Sequence, residues 1–265
     1  MNCADKLRDL KRSIFERGKI LIAFSGGVDS SLLARVATEV LGANALCVIL
    51  DMEAMPRSEL QQAMDLAKYM GLNYRVQKCS LFGNEGFIEN PPTRCYICKK
   101  ECIKVLKRLA EEQGISQIAD GVNLSDCGDY RPGIAACDEE GIWHPFVDAK
   151  ISKDDIRAIC REMDLSFWNK PSAACLASRI PYGEKITEGK LAMVEKAEDY
   201  LKGLGFSQVR VRAHGLIARI ELPKSDMVRA LISGDDIAKE LKELGFKYVA
   251  LDLQGFRSGS MNEVL

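Results

Sequence analysis

The run SGGVDSS at residues 25–31 constrains this chain more than any other segment. It follows Ile20–Phe24, a continuous apolar stretch typical of a parallel strand that is buried on both faces. Ser30–Leu41 comes next and has the spacing of a helix. Glycines let the backbone approach a ligand closely, and the N–H groups at a helix N-terminus bind anions. The run therefore predicts a phosphate-binding turn between a strand and a helix, with these binding residues: Ser25, Gly26, Gly27, Asp29, Ser30 and Ser31.

Strands and helices are predicted to alternate after this turn. Segments 45–50 and 74–78 are predicted as further strands, and Arg57–Met70 as the helix between them. This alternation predicts an α/β fold with a doubly wound parallel sheet. Beyond Thr187 a helix, two strands, further helical segments and a last strand predict a small C-terminal α+β unit. We therefore expect two domains, residues 1–185 and 186–265.

Charge and cysteine content narrow the class of protein. Lys and Arg number 37 against 38 Asp and Glu, and a net charge of −1 argues against a nucleic-acid-binding protein. The longest apolar runs are far too short to span a bilayer, and the first residues lack a secretory signal. We therefore expect a cytoplasmic protein with neither a nucleic acid nor a membrane as partner. In a reducing compartment ten cysteines are not a disulfide framework, so a close pair suggests metal binding or catalysis.

One such pair is Cys95 and Cys98, near the start of a predicted helix. Two thiolates at positions i and i+3 can face one metal ion. No second pair completes a four-thiolate zinc site. Structural zinc, a redox dithiol and an incomplete set of iron–sulfur ligands remain the alternatives for this pair. Cys175 lies in an irregular segment beside Arg179. Both a reactive thiolate and a buried small residue are compatible with that position.

Two groups of polar residues are candidates for ligand contacts. Arg210 and Arg212 alternate on a predicted strand, so they point to one face and can clamp a phosphate. Segment 120–133 is rich in turn residues and is predicted to be a functional loop at the carboxyl ends of the strands, where ligands bind in such sheets. Some of its polar side chains are expected to form Asx turns. Its candidate binding residues are Asp120, Asn123, Asp126 and Arg131.

Together these motifs resemble a known family. SGGVDSS is similar to the PP-loop of the ATP pyrophosphatases, which bind the pyrophosphate of ATP and transfer AMP to an oxygen of the substrate. Over nearly the whole chain, the sequence resembles the LarE family of ATP-dependent sulfur transferases. The further motifs that carry this resemblance are the loop at 120–133, HPF at 144–146, PSAACLASRIPYG at 171–183, RVRAHG at 210–215 and GFRSGSMNE at 255–263.

The resemblance implies a fold, a reaction and a set of catalytic residues. The fold would be the PP-loop, adenine nucleotide alpha hydrolase-like sheet, with ATP and Mg²⁺ as ligands. The family adenylylates a carboxylate of pyridinium-3,5-biscarboxylate mononucleotide and then installs sulfur to give a thiocarboxylate, a step in making the nickel-pincer nucleotide cofactor. Carried over to this chain, the catalytic residues are Asp29, Cys175, Arg210 and Arg212, with Asp29 as a magnesium or loop-shaping residue.

The resemblance also implies a source for the sulfur. One type of family member consumes the sulfur of a single cysteine that aligns with Cys175, and a second type binds a [4Fe-4S] cluster through three cysteines. Cys95, Cys98 and Cys175 make this chain similar to the second type. A sulfide donor and assembly into a homo-oligomer are then expected. The alternatives are sacrificial use of Cys175, and another PP-loop enzyme such as a tRNA thiolase or an amide-forming ligase.

Overall fold

The computed structural model describes residues 2–128, 132–171, 175–257 and 259–263, and the chain divides into two compact units. Unit 1 consists of Met1–Leu81 and Cys95–Ala173, and unit 2 of Phe82–Arg94 and Ala174–Leu265. The predicted boundary near residue 185 lies inside unit 2. Cys175, which we expected in the first domain, therefore belongs to unit 2.

The elements of the chain are seven strands and eleven α-helices within the described residues. The strands are β1 (Ile20–Ala23), β2 (Ala45–Asp51), β3 (Tyr74–Lys78), β4 (Gln117–Ala119), β5 (Arg210–His214), β6 (Ile217–Glu221) and β7 (Tyr248–Leu251). The helices are α1 (Cys3–Arg17), α2 (Val28–Leu41), α3 (Arg57–Tyr69), α4 (Glu85–Ile88), α5 (Arg94–Glu112), α6 (Pro132–Glu139), α7 (Pro145–Asp148), α8 (Lys153–Glu162), α9 (Glu188–Gly203), α10 (Met227–Ile232) and α11 (Gly234–Glu243). Short 3₁₀ turns cover Gly42–Asn44, Leu124–Gly128, Leu176–Arg179, Lys224–Asp226 and Ser260–Asn262.

Unit 1 is built on a parallel four-stranded sheet with the strand order β3-β2-β1-β4. Successive side chains of a strand point to opposite faces. Ile20 and Ile22 of β1 therefore join a core that includes residues of α1, α2 and α8, while Leu21 joins a second core formed with α5. Helices cover both faces of the sheet, which confirms the predicted α/β doubly wound fold.

The strand order creates the point at which a ligand is expected. From β1 the chain runs to β2 and β3 on one side, and β4 pairs with the other side of β1. The segments that follow β1 and β4 diverge from neighbouring carboxyl ends of the sheet, and such switch points are where α/β sheets bind ligands. The SGGVDSS turn and Asp120 follow these two strands directly.

The start of α8 is set by a reciprocal cap. Ser152 Oγ accepts a hydrogen bond from Asp155 N at 3.3 Å, and Asp155 Oδ2 accepts one from Ser152 N at 2.8 Å. The two bonds satisfy backbone donors that have no partner inside the helix. Ser152 followed three residues later by an acidic Asp155 is the local sequence pattern of such a cap, and the cap makes Lys153 the first residue of α8.

Unit 2 contains a three-stranded sheet with the order β5-β6-β7. β5 and β6 are antiparallel, with Arg210 opposite Glu221, and β6 and β7 are parallel. Helix α9 packs on β5 through buried residues such as Leu191 and Leu201. This sheet with its helices is the predicted small α+β unit.

Several element boundaries differ from the prediction. Helix α2 begins at Val28 rather than Ser30, because Gly27 already takes the extended N-cap conformation with φ −75° and ψ 161°. Helix α6 begins at Pro132, inside the segment predicted as a loop. Helices α4, α6 and α7 have four to eight residues and are too short for hydrophobic periodicity to reveal.

No helix among the described residues is long and apolar enough to cross a bilayer.

Candidate functional site

The turn after β1 is closed by its own serines. Ser30 Oγ accepts a hydrogen bond from Ser25 N at 3.2 Å and donates one to Gly27 O, also at 3.2 Å. Ser25 Oγ lies 3.1 Å from the same hydroxyl. Gly27 caps α2 without a side-chain bond, so the first N–H groups of this helix are available to an anion.

Two glycines in this region allow a close approach of backbones. Gly26 has a φ of 70°, and a Cβ there would lie 2.9 Å from Cα and Cβ of Ala63. A Cβ on Gly121 would lie 2.9 Å from Ser30 N. A side chain at either position would press on the turn or on the N-terminus of α2, so only glycine fits.

A cavity of about 560 Å³ opens beside the turn within unit 1. This volume lies in the usual range for small-molecule sites. Its polar lining includes these predicted residues: Ser25, Gly27, Asp29, Ser30, Asp120 and Asp126. Its apolar lining includes Val48, Leu50, Met52, Ile103 and Leu106. A polar, anion-binding end joined to an apolar end suits a ligand with phosphates and an aromatic base.

Among the described residues, three that were predicted to bind the nucleotide do not line this cavity. They are Gly26, Ser31 and Asn123. Gly26 shapes the turn against Ala63. Ser31 is fully buried, and its hydroxyl has no hydrogen-bond partner among the described residues.

Asp29 is held by a lysine that sequence reasoning did not single out. Lys153 Nζ lies 2.7 Å from Oδ1 and 2.6 Å from Oδ2 of Asp29. Burial raises the pKa of Asp29, and the hydrogen bond and charge of Lys153 oppose this shift without cancelling it. A lysine cation already neutralises the carboxylate, so a magnesium ion would compete with Lys153 for Asp29.

Asp120, the first residue after β4, is buried and bonded on both oxygens. Oδ1 lies 2.7 Å from His144 Nδ1 and accepts a bond from Val122 N. Oδ2 accepts a bond from Cys137 Sγ at 3.4 Å and forms an ion pair with Lys99 Nζ at 3.9 Å. Burial raises the pKa of Asp120, but His144 and Lys99 outweigh burial, so the pKa lies below its ordinary value. Burial lowers the pKa of His144, and the carboxylates of Asp120 and Asp138 more than reverse that effect. These pKa shifts therefore favour an ionised Asp120 between the cations of His144 and Lys99.

The pair of His144 and Asp120 predicts a pH-dependent stability. The contribution of His144, whose pKa is raised, is fully present below its ordinary pKa of 6.5 and is lost as the pH rises through the raised value. The contribution of Asp120, whose pKa is lowered, is present above its ordinary pKa of 3.8 and is lost as the pH falls through the lowered value. We expect His144→Ala to lower the free energy of unfolding by about 1–3 kcal/mol between these two ordinary pKa values, and by less in alkaline buffer. Urea unfolding at several pH values measures this difference.

His214 provides the matched control for this measurement. Burial and the charge of Arg219 lower the pKa of His214, and its Nε2 accepts a bond from Arg219 Nε at 3.2 Å. The contribution of His214 is therefore present above its ordinary pKa of 6.5 and is lost as the pH falls, so His214→Ala should show the opposite trend. An effect of His144→Ala that stays constant as the pH rises would contradict the assignment.

Other polar residues of segment 120–133 mainly shape the backbone. Asn123 Oδ1 accepts a bond from Ser125 N at 3.0 Å, as Asp120 does from Val122 N, and both are Asx turns. Asp126 Oδ2 accepts bonds from the backbone and side-chain nitrogens of Asn123. The expectation that some of these residues form Asx turns is confirmed. Arg131 lies outside the described residues.

Helix α5 lines the cavity along one stripe. Lys99, Cys102 and Leu106 are spaced three or four residues apart and reach the cavity. Cys95 precedes Lys99 by one helical turn, and Cys98 precedes Cys102 by one turn. Cys95 is exposed and Cys98 is half-buried. The two thiols therefore lie on the turn of α5 that adjoins the cavity wall.

Cys102, on the same helix as the predicted metal ligands Cys95 and Cys98, has other sulfur atoms as neighbours. Cys102 Sγ lies 3.3 Å from Met52 Sδ and 4.0 Å from Cys79 Sγ. Among the described residues, no three Cys, His, Asp or Glu side chains are grouped so that they could hold a metal ion. The thiols of Cys95 and Cys98 fit an iron–sulfur cluster in kind, since thiolates are its usual ligands. The three-cysteine ligand set therefore stays a prediction.

Cys175 lies in unit 2, at the start of the 3₁₀ turn Leu176–Arg179. Its carbonyl oxygen accepts bonds from Ser178 N at 3.0 Å, Ser178 Oγ at 2.7 Å and Arg179 Nη1 at 3.3 Å. Arg179 is itself fully buried and forms two bonds to Glu198, at 2.7 and 3.0 Å. The backbone of Cys175 is thus firmly held while the residue is exposed. Residues 172–174, which precede it in the predicted motif, lie outside the described residues.

Arg212 is committed to the protein's own hydrogen bonds. It is 5% exposed and donates to Glu221 Oε2 at 2.7 Å, Ser260 Oγ at 3.0 Å and Ser178 O at 3.0 Å. Its Nε has no partner among the described residues. Arg212 therefore ties the turn after Cys175 to the central strand of unit 2.

Arg210 has different surroundings. Its guanidinium lies over the ring of Phe256, 5.5 Å from the centroid, and donates to Val209 O. No carboxylate pairs with it among the ion pairs of the described residues. Burial, and then the charge of Arg179, lower the pKa of Arg210. A guanidinium without a counter-charge is suited to bind a phosphate of a ligand.

Several residues at these positions were missed by sequence reasoning. Lys99 lines the cavity, and Lys153 and His144 contact its lining residues Asp29 and Asp120. Glu198 bonds Arg179 and Glu221 bonds Arg212 in unit 2. His144 had a signal, since it opens the HPF motif. The others are single charged residues in helices or strands, and only folding brings them to their partners.

Comparison with known proteins gives matches over part and over nearly all of the chain. A sequence model of the NAD synthase family matches residues 4–81, which include β1 and the SGGVDSS turn. An uncharacterised protein of Synechocystis sp. is 41% identical over 98% of this chain and 98% of its own length. The pyridinium-3,5-bisthiocarboxylic acid mononucleotide synthase of Lactiplantibacillus plantarum is 38% identical over 99% of this chain and 95% of its own length. An uncharacterised protein of Methanocaldococcus jannaschii is 32% identical over 96% of both chains.

Proposed function

Since this chain belongs to the LarE family of ATP-dependent sulfur transferases, which includes pyridinium-3,5-bisthiocarboxylic acid mononucleotide synthase, we propose that it adenylylates a carboxylate of pyridinium-3,5-biscarboxylate mononucleotide and converts it to a thiocarboxylate. One observation carries the proposal. Helix α5 forms a wall of the nucleotide-sized cavity through Lys99 and Cys102, and it bears Cys95 and Cys98 one turn before these two residues. Activation by ATP and sulfur chemistry therefore share one helix. An amide-forming ligase with the same turn would have no use for these thiols.

The first half-reaction is transfer of AMP to the carboxylate. A carboxylate oxygen of the substrate attacks the α-phosphorus of ATP, and pyrophosphate leaves. The N–H groups at the start of α2 bind the phosphates, and Lys99 supplies positive charge at the cavity. Burial lowers the pKa of Lys99, but Asp120 together with nearby cysteines more than offsets that effect. Mg²⁺ would neutralise phosphate charge, with the carboxylates of Asp29 and Asp126 as its oxygen ligands.

The second half-reaction replaces AMP by sulfur. We propose Cys95, Cys98 and Cys175 as ligands of a [4Fe-4S] cluster, supported by the thiol donors and by the exposure of Cys95 and Cys175. Bound by these thiolates, such a cluster would carry the hydrosulfide whose sulfur the reaction transfers. The firm backbone of Cys175 keeps its side chain at a defined position for this role.

Arg210 and Arg212 of unit 2 are proposed to bind the phosphate of the substrate. We expect Arg210→Ala to weaken binding of the carboxylated nucleotide by about 1.5–3 kcal/mol, because a charge-assisted hydrogen bond is lost. Because Arg212 already donates to Glu221, Ser260 and Ser178, Arg212→Ala should weaken binding less than Arg210→Ala does. It should also lower the melting temperature, since Glu221 loses its buried partner. Isothermal titration with the nucleotide and with ATP measures both affinities.

The controls for this prediction come from the same unit. Arg229→Ala removes an arginine that lies over the Phe206 ring on the surface of unit 2 and should leave both affinities unchanged. Equal losses for ATP and for the carboxylated nucleotide would move Arg210 and Arg212 to the ATP site.

Location, assembly and sulfur supply complete the proposal. A cytoplasmic location agrees with the ten cysteines of the sequence, because a reducing compartment keeps cysteines from forming disulfides. A sulfide donor and a homo-oligomeric assembly remain predictions from the family.

The test of the proposed function is anaerobic purification followed by two assays. Iron and acid-labile sulfide are measured per chain, and AMP, pyrophosphate and thiocarboxylate are measured with and without the carboxylated nucleotide. We expect AMP formation to require that nucleotide and thiocarboxylate to require the thiols. Full thiocarboxylate formation by a Cys95→Ala, Cys98→Ala, Cys175→Ala triple variant would contradict the proposed role of the thiols. AMP formation by wild-type protein without any thiocarboxylate would favour a ligase that uses a different nucleophile.

A further inference from the structure

Asn90 organises the loop that follows Cys175 in unit 2. It is fully buried and has a φ of 56°, in the left-handed region. Its Nδ2 lies 3.2 Å from Ile180 O, 2.7 Å from Pro181 O and 3.0 Å from Glu184 O. The asparagine therefore holds three carbonyl groups of one loop from inside the unit. A buried side chain with all its polar atoms bonded fixes its surroundings strongly.

Arg94 extends this arrangement towards Cys175. Its Nη1 donates to Asn90 Oδ1 and, at 3.0 Å, to Ala177 O. Its guanidinium lies over the ring of Tyr182, 5.0 Å from the centroid. Arg94 is 5% exposed. Residues 90, 94, 177 and 182 all belong to unit 2, so these contacts are internal to it.

The buried charge of Arg94 calls for an explanation. The two acceptors of its Nη1, Asn90 Oδ1 and Ala177 O, are neutral, and no carboxylate pairs with Arg94 among the ion pairs of the described residues. A buried guanidinium without a counter-charge is costly for stability. A neutral side chain could pack against Tyr182 at lower cost. The contact of Arg94 with the turn after Cys175 is therefore a candidate for function.

The position of Arg94 in the chain suggests what that function is. Arg94 is the first residue of α5 and directly precedes Cys95, while Ala177 follows Cys175 by two residues. A hydrogen bond from Arg94 to Ala177 thus joins the chain segments of two of the proposed sulfur-handling cysteines. The carbonyl of Cys175 is held separately, by Ser178 and Arg179.

We propose that Arg94 is a positioning residue for sulfur transfer, which through Asn90 and Ala177 holds the Cys175 turn to the start of α5. This inference rests on the proposed function, because it assigns Arg94 to the cysteines that handle sulfur. Arg94 does not touch substrate in this role. Arg94 acts by limiting the movement of the Cys175 backbone relative to its own position, which directly precedes Cys95 in the chain.

The test compares substitutions of Arg94 with those of Arg108, an exposed arginine of the same helix. Arg94→Ala is expected to keep AMP formation and the KM for ATP, while thiocarboxylate turnover falls about tenfold or more, because misplacing a reacting group by about 1 Å has effects of this size. Iron and labile sulfide per chain should also fall, a readout independent of turnover. Arg94→Lys keeps one nitrogen donor on a shorter side chain and should lie between wild type and Arg94→Ala. Arg108→Ala and Arg108→Lys should behave as wild type.

Each result decides between specific outcomes. If Arg94→Ala folds and retains wild-type iron content and thiocarboxylate turnover, the positioning role is overturned. If Arg94→Ala does not fold, Arg94→Lys decides, and the role is overturned when that variant equals Arg108→Lys in both measurements. A parallel fall in AMP formation and sulfur transfer would indicate general damage to the fold and also overturn it. Wild-type protein without iron and without thiocarboxylate product would instead defeat the proposed function, whatever Arg94→Ala does.

Discussion

Ser30→Ala and Asp29→Ala variants are expected to lose AMP formation by about 100- to 1,000-fold, the usual cost of removing a group that stabilises a charged transition state. Ser30 Oγ bonds both Ser25 N and Gly27 O, so alanine opens the turn that presents N–H groups to the phosphates. Asp29→Ala leaves Lys153 without its carboxylate and removes a ligand proposed for Mg²⁺. Quantifying AMP by chromatography after anaerobic incubation with ATP and the carboxylated nucleotide measures the loss.

The same variants should leave the sulfur-handling thiols intact. Iron content and visible absorption of the anaerobically purified protein are therefore expected to match wild type. Ser13→Ala and Asp9→Ala remove the same groups from α1, away from the turn, and should leave AMP formation unchanged. Wild-type rates of AMP formation in both Ser30→Ala and Asp29→Ala would show that the turn does not handle ATP.

Replacing Cys175 should abolish thiocarboxylate formation and leave AMP formation intact. Cys175 lies in unit 2, whereas the turn and the cavity that are proposed to bind ATP lie in unit 1. Cys95→Ala and Cys98→Ala should give the same loss if the three thiolates hold one cluster. Iron analysis, product analysis and intact mass after turnover measure these effects. Cys127→Ala, which removes another exposed cysteine, is the matched control and should leave both half-reactions unchanged.

Intact mass separates the cluster from the sacrificial use of Cys175. In the cluster reaction, wild-type protein supplied with sulfide and reductant turns over more than once per chain, and its mass does not change. In the sacrificial reaction, each chain becomes lighter by one hydrogen sulfide, and Cys95→Ala and Cys98→Ala remain active for one turnover. A mass loss at Cys175 that matches the amount of product would overturn the cluster.

Local sequence signals were sufficient where the interacting residues lie close together in the chain. The strand–turn–helix of SGGVDSS and the cap at Ser152 were both predictable, because their partners lie within a few residues. Helix α6 was missed because eight residues carry too little periodicity. The clamp predicted from Arg210 and Arg212 stays a prediction. Alternation on a strand gives the shared face of the two arginines but says nothing about the carboxylates that meet it, such as Glu221 at Arg212.

The sequence by itself determined the α/β class, the phosphate-binding turn, the family and the inventory of cysteines. These depend on residue order, which sets strand and helix periods and the spacing of a motif. Only the tertiary structure decided that Lys153 neutralises Asp29, that His144 and Lys99 hold Asp120, and that Arg94 binds the turn after Cys175. Lys153 is 124 residues from Asp29, and Ala177 is 83 residues from Arg94. Pairings over such separations depend on how sheets and helices pack, so no local pattern in the chain encodes them.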